Sequence, residues 1–194
     1  MKRALLLLCA AALATLAAGC GSHKSSTPTT TSVTHVLPNA TSVDEWAARL
    51  VNILFRPLNK DLRVVSGFNN PQIRLFIASA NPTTLRIINN RMHDLQRCTA
   101  KLDQIGPPPK GDARLQTING KLRRACADYV PVAGTLLKAT PFLSSGRSDV
   151  IDRGTKMIVG VRDASGRAAN DLATAVRIAQ DIPAFRRAGL KPSI

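Results

Sequence analysis

Cys98, Cys126 and His93 are the side chains best equipped for chemistry in the body of this 194-residue chain. Two thiols 28 positions apart can join as a disulfide. With His93 they would instead offer three donors to a metal ion, but neither CxxC nor HxxxH spacing is present, and zinc sites are built from such short-range pairs. His93 adjoins Asp94, which invites a proton-relay reading, yet the two fit a surface pair on a polar helix face. Met92 and Met157 read as core filler rather than haem ligands. The chain contains no GxSxG, HExxH, GxxxxGK[ST], strand-linked GxGxxG or CxxCH. Di-iron bundles need several glutamates, and Glu45 is the sole one here. The expectation is therefore a protein without catalytic residues, metal or cofactor.

The first twenty residues carry a different chemistry. Met1, Lys2 and Arg3 form a positive start, and an uncharged apolar run follows from Ala4 to Ala18. That run is shorter than the roughly 20 residues needed to cross a bilayer, so it reads as a cleaved leader. It ends in Leu16-Ala17-Ala18-Gly19-Cys20, which resembles the lipobox of bacterial lipoproteins, with Ala17 where leucine is usual. The resemblance implies a signal peptide over residues 1–19 and diacylation of the Cys20 sulfur. It also implies a chain exported and lipid-anchored on the outer face of the cell membrane, or in the outer membrane or periplasm of a diderm. Gly21 is not the aspartate that signals inner-membrane retention in many diderms. The alternative is an ordinary secretory leader cut at Ala12-Leu13-Ala14 or Leu16-Ala17-Ala18. Under export the four cysteines sort themselves: Cys9 leaves with the leader, Cys20 takes lipid, and Cys98 and Cys126 pair in an oxidising compartment.

Charge sets the class of partner. Lys2 and Arg3 depart with the leader, leaving 25 basic residues against 12 acidic, a formal charge of +13. Outside the cytoplasm the anionic matter at hand is phospholipid headgroups and cell-wall polymer. Aromatic residues make up only 4% of the chain, too few to stack bases, so nucleic acid is not an expected partner. Arg123-Arg124 and Arg186-Arg187 are candidate contacts to an anionic surface, with Arg97, Lys101 and Lys121 beside them.

Residues 20–42 hold the lipidated cysteine and a Ser/Thr-rich stretch. Residues 21–42 contain eleven Ser or Thr and two prolines, a composition that cannot bury enough surface to order itself. As a disordered linker this stretch would reach roughly 25 Å. Residues 43–194 then make one domain whose apolar period is helical. Ser42-Val43-Asp44-Glu45 reads as a capping box opening a first helix. Val43, Trp46, Leu50, Ile53, Leu54, Leu58, Leu62 and Val65 make its stripe. Pro57 is expected to kink or split it, and Gly67 to close it. Asn70-Pro71 and Asn81-Pro82 each set a cap before a proline, predicting a short helix near 71–79 and a long one over 82–105. The long one has Leu85, Ile88, Met92, Leu95, Thr99 and Leu102 as its seam. A third helix is predicted from 112 to about 139, bent at Pro131, with Leu115, Ile118, Leu122, Ala125, Tyr129, Val132 and Leu136 on its seam. A fourth is predicted over 148–182, rich in small seam residues and weakened by Gly154, Gly160 and Gly166.

Cys98 and Cys126 flank the seams of neighbouring helices and can meet across a hairpin, provided that the proline-rich connection absorbs a height difference of about 10 Å. The expected fold is all-α, an antiparallel bundle of about four main helices stapled by one disulfide. The expected function is that of a membrane-anchored cell-envelope lipoprotein, a non-enzymatic interaction or structural module with a basic surface. The alternative is a carrier for an apolar small molecule or lipid, in a cavity left where small residues of the last helix face Phe55, Phe68 and Phe76.

Overall fold

The computed structural model describes residues 37–68 and 70–191. The leader, Cys20 and the linker as far as residue 36 lie outside them. Among the described residues all regular structure is helical: α1 (Val43–Arg49), a π segment (Leu50–Phe55), α2 (Arg56–Phe68), α3 (Pro71–Ala78), α4 (Pro82–Gln96), α5 (Cys98–Ile105), α6 (Ala113–Leu143), α7 (Ser148–Gly160), α8 (Arg162–Gln180) and α9 (Pro183–Arg187). Four rods result: α1 through α2, α4 with α5, α6, and α7 with α8. The fold is an all-α bundle with one disulfide. No helix among the described residues is long and apolar enough to cross a membrane.

The caps form where side-chain oxygens can reach free backbone donors. Asn81 Oδ1 accepts from the Thr84 N–H and Asn70 Oδ1 from the Gln72 N–H, each at 2.9 Å. Asp112 Oδ1 accepts from the Arg114 N–H at 2.9 Å. Ser42 Oγ accepts from the Glu45 N–H at 3.2 Å, but the returning arm of the box differs from expectation. Glu45 accepts from the Thr41 N–H at 2.9 Å rather than from that of Ser42. Pro38, at the end of the expected linker, already accepts from Arg49 through its carbonyl.

Pro57 does not split the first rod. The helix widens just before it, with the Arg56 N–H bonded to the Val51 carbonyl five residues back. A widened turn gives the pyrrolidine ring room that α geometry denies it. The first rod runs one residue past Gly67, to Phe68. Pro131 and Pro141 both lie inside α6, on exposed positions, and the helix continues to Leu143 instead of ending near 139.

Two predicted helices are broken. The rod over 82–105 interrupts at Arg97 (φ −85°, ψ 5°), and beyond it Cys98 is buried while Thr99 is exposed, so the cysteine takes the seam place expected of the threonine. Lys101 reaches back across the break to Asp94 at 2.8 Å. The rod over 148–182 breaks after Gly160, at Val161 (φ −107°, ψ 2°), and ends at Gln180, with α9 separate. Gly154 explains the close approach of α7 to α6: a Cβ there would stand 3.0 Å from Phe142 Cβ and 3.2 Å from the Ala139 carbonyl oxygen.

α6 packs against α8, α7, α4 and α5, and it supplies the middle of the core through Leu115, Ile118, Leu122, Ala125, Tyr129, Val132 and Leu136, all buried. The Cys98 and Cys126 Cα atoms stand 5.3 Å apart in the disulfide. Cys98 begins α5, whereas Cys126 lies well inside α6, so the connection after Gly106 absorbs the predicted offset and the first turns of α6 extend beyond the end of α5.

Candidate binding groove

The structure places the sequence-derived candidates apart. Cys98 and Cys126 are joined, so neither offers a thiolate to a metal. No group of three or more His, Cys, Asp or Glu among the described residues could hold a metal ion. His93 is exposed, its Nδ1 3.2 Å from the Gln96 amide oxygen, while Asp94 pairs with Lys101, so the two neighbours do not form a dyad.

The four candidate arginines are engaged within the fold. Arg123 pairs with Asp103 at 2.9 Å, and Arg124 shares Asp171 with Lys121 at 3.1 and 2.6 Å. Those two cations hold the Asp171 carboxyl below its ordinary range, the Lys121 hydrogen bond contributing most. Arg187 pairs with Asp44 at 2.7 Å, tying α9 to α1, and Arg186 donates to the Gln180 carbonyl at 3.2 Å. The pairs stand on different elements, α6 and α9.

Asp61 is a buried acid that no sequence motif singles out. It is 0% exposed, on the core side of α2, and neither oxygen has a hydrogen-bond partner among the described residues. Arg91 stands 3.5 Å away. Burial foremost, then the negative charge of Asp94, pushes its pKa up to about 6 against the pull of Lys101 and Arg91. A shallow hollow nearby is lined by Ile87, Asn90, Arg91, His93, Asp94 and Arg97, so Arg91 and Asp94 stand between it and the buried Asp61 carboxyl.

A more apolar opening lies on another face, between the π segment and α2 on one side and α8 and the C-terminal segment on the other. It is a half-open groove of about 530 Å³, within the range of small-molecule sites. Val51 and Phe55 belong to the widened turn, and Leu58, Leu62, Leu172 and Val176 add apolar wall. Arg56 and Lys191, both exposed, add positive charge to the lining, and no acid lines it among the described residues. Of the residues expected to leave a cavity, Ala168, Ala175 and Ala179 are packed at 0% exposure, Phe68 is in the core and Phe76 is 55% exposed. Of the three phenylalanines only Phe55 lines the groove.

Beside it runs a stripe of cations. Arg56, Lys60 and Arg63 recur at helical spacing on α2, all exposed, and none has an acidic partner among the described residues. Arg56 donates only to neutral acceptors, Asn52 Oδ1 at 2.7 Å and the Ala188 carbonyl at 3.4 Å. The spacing was readable in the sequence; that no acid among the described residues would come to pair with these three cations was not. Compared with protein-family models, with curated proteins and with solved structures, the chain finds no match in any of the three.

Proposed function

We propose that this chain is a cell-envelope lipoprotein, anchored through lipid on Cys20, whose helical domain is a non-enzymatic interaction module for anionic lipid or wall polymer. The basic stripe of Arg56, Lys60 and Arg63 carries the reading. Its charge is not cancelled by neighbouring acids, unlike that of Arg123, Arg124 and Arg187. A lipid tether supplies stable attachment, because two acyl chains hold where one is marginal. The stripe would then turn one face of the domain toward the anionic surface, by an attraction that salt screens over about 10 Å at 0.1 M.

The test is co-sedimentation of residues 21–194, which lack the anchor cysteine, with phosphatidylglycerol and phosphatidylcholine vesicles across a salt series. The expected result is binding to the anionic vesicles alone, weakening steeply with salt, abolished by Arg56→Glu with Lys60→Glu and Arg63→Glu, and little changed by Arg123→Glu with Arg124→Glu. Binding indifferent to lipid charge, or lost only in the second variant, contradicts the stripe.

A further inference from the structure

From the groove beside the stripe we infer a site for one acyl chain carrying an anionic head, a carboxylate or a phosphate. This deepens the envelope reading and rests on it for the supply of ligand, since a domain tethered at a bilayer meets such amphiphiles continuously.

Shape and polarity both select this class. Leu58, Leu62, Leu172 and Val176 form walls that do not close on one another, and the last three are only half-buried, so apolar surface stays in contact with water. Covering it with methylene groups recovers about 25 cal/mol per Å². Among the described residues the lining carries no carboxylate, while Arg56 and Lys191 contribute positive charge to it. Arg56 is held in place by bonds from its two terminal nitrogens to neutral oxygens, so its charge stays available to a head group. Gly189 permits that arrangement: it sits at φ +91°, and a Cβ there would come within 2.9 Å of the Arg56 guanidinium. The π segment contributes Val51 and Phe55, and π-bulges recur at functional sites because the widened turn redirects side chains. A neutral lipid would fill the walls but leave both cations without a counter-ion, and a charge-assisted hydrogen bond is about twice as strong as a neutral one.

The experiment uses the full lipid-anchored protein in phosphatidylcholine vesicles, irradiated with a diazirine-bearing palmitate and mapped by peptide mass spectrometry. Label is expected on α2 and α8 at the residues lining the groove. Leu172→Trp with Val176→Trp, both positions being partly exposed, is expected to lower labelling about tenfold while the thermal unfolding transition is retained. Free palmitate and monopalmitoyl phosphatidylglycerol are expected to compete, and whichever does so at lower concentration identifies the head as carboxylate or phosphate. Neutral monopalmitoylglycerol is expected to compete about tenfold less well. The wild-type competition needs no variant to fold. Label spread over the surface, or equal competition by the neutral lipid, overturns the site. Loss of vesicle attraction with groove labelling retained counts against the basic-surface reading alone; the converse counts against the groove alone.

Discussion

The indole Nε1–H of Trp46 donates to the Gly106 carbonyl at 3.2 Å, joining residues 60 positions apart. Gly106 ends α5 in the left-handed region at φ +81°, and the indole satisfies its buried carbonyl. Phe185 stands edge-on to the indole at 5.9 Å, so α1, the α5–α6 connection and α9 meet at one side chain. Trp46→Phe keeps much of the packing and removes the donor. It is expected to cost about 1–3 kcal/mol in urea unfolding, the penalty of an unpaired buried carbonyl. Unchanged stability would show that water replaces the indole at no cost.

Removing the disulfide by Cys98→Ala with Cys126→Ala is expected to destabilise the fold by about 3.5 kcal/mol in the chain-entropy account, read as a lower urea midpoint with helical circular dichroism retained. A midpoint equal to that of the oxidised wild type would mean that the hairpin is already fully ordered without the bond.

Asp61 has a folded pKa above its unfolded value, so its proton is bound more tightly in the folded state. Its contribution is therefore most favourable below about pH 4 and is lost as pH rises to about 6. Glu45, Asp112 and Asp171 shift the other way, favouring the fold as pH rises. The comparison of wild type with Asp61→Asn isolates the first effect. The variant is expected to gain about 1–3 kcal/mol at pH 7, by the scale of 1.36 kcal/mol per pKa unit, and to lose the difference below pH 4. A variant less stable at pH 7 would show that the charge is held by Arg91 and Lys101 at net benefit.

Two glycines on the last rod should respond oppositely. A Cβ added at Gly166 on α8 would meet no atom within 4 Å, so Gly166→Ala is expected to stabilise by up to about 1 kcal/mol. Gly154 faces Phe142, Leu143 and the Ala139 carbonyl, so Gly154→Leu must push α7 off α6 and is expected to cost about 1–3 kcal/mol. Thermal unfolding of the two variants checks both signs.

Much of the bundle was legible because its seams are regular. Every seam residue named for α6 is buried, and the caps at Asn81 and Asp112 form as their residue types require. The break at Arg97 carries no glycine or proline to announce it, and Pro57 announces a break that a π turn averts. Asp61 was legible in principle: it falls three residues after Leu58 and four before Val65, on the apolar face of α2. The groove was not, because it depends on which sides of α2 and α8 stay uncovered, and that is decided by packing between residues more than 100 positions apart.

The most direct test of the account is the intact mass of the protein extracted from the membranes of a bacterial host expressing the full chain. The account predicts a chain beginning at Cys20, heavier than its sequence by a diacylglyceryl group, and its disappearance from that fraction in Cys20→Ala. An unmodified chain cut elsewhere and recovered without detergent would contradict it.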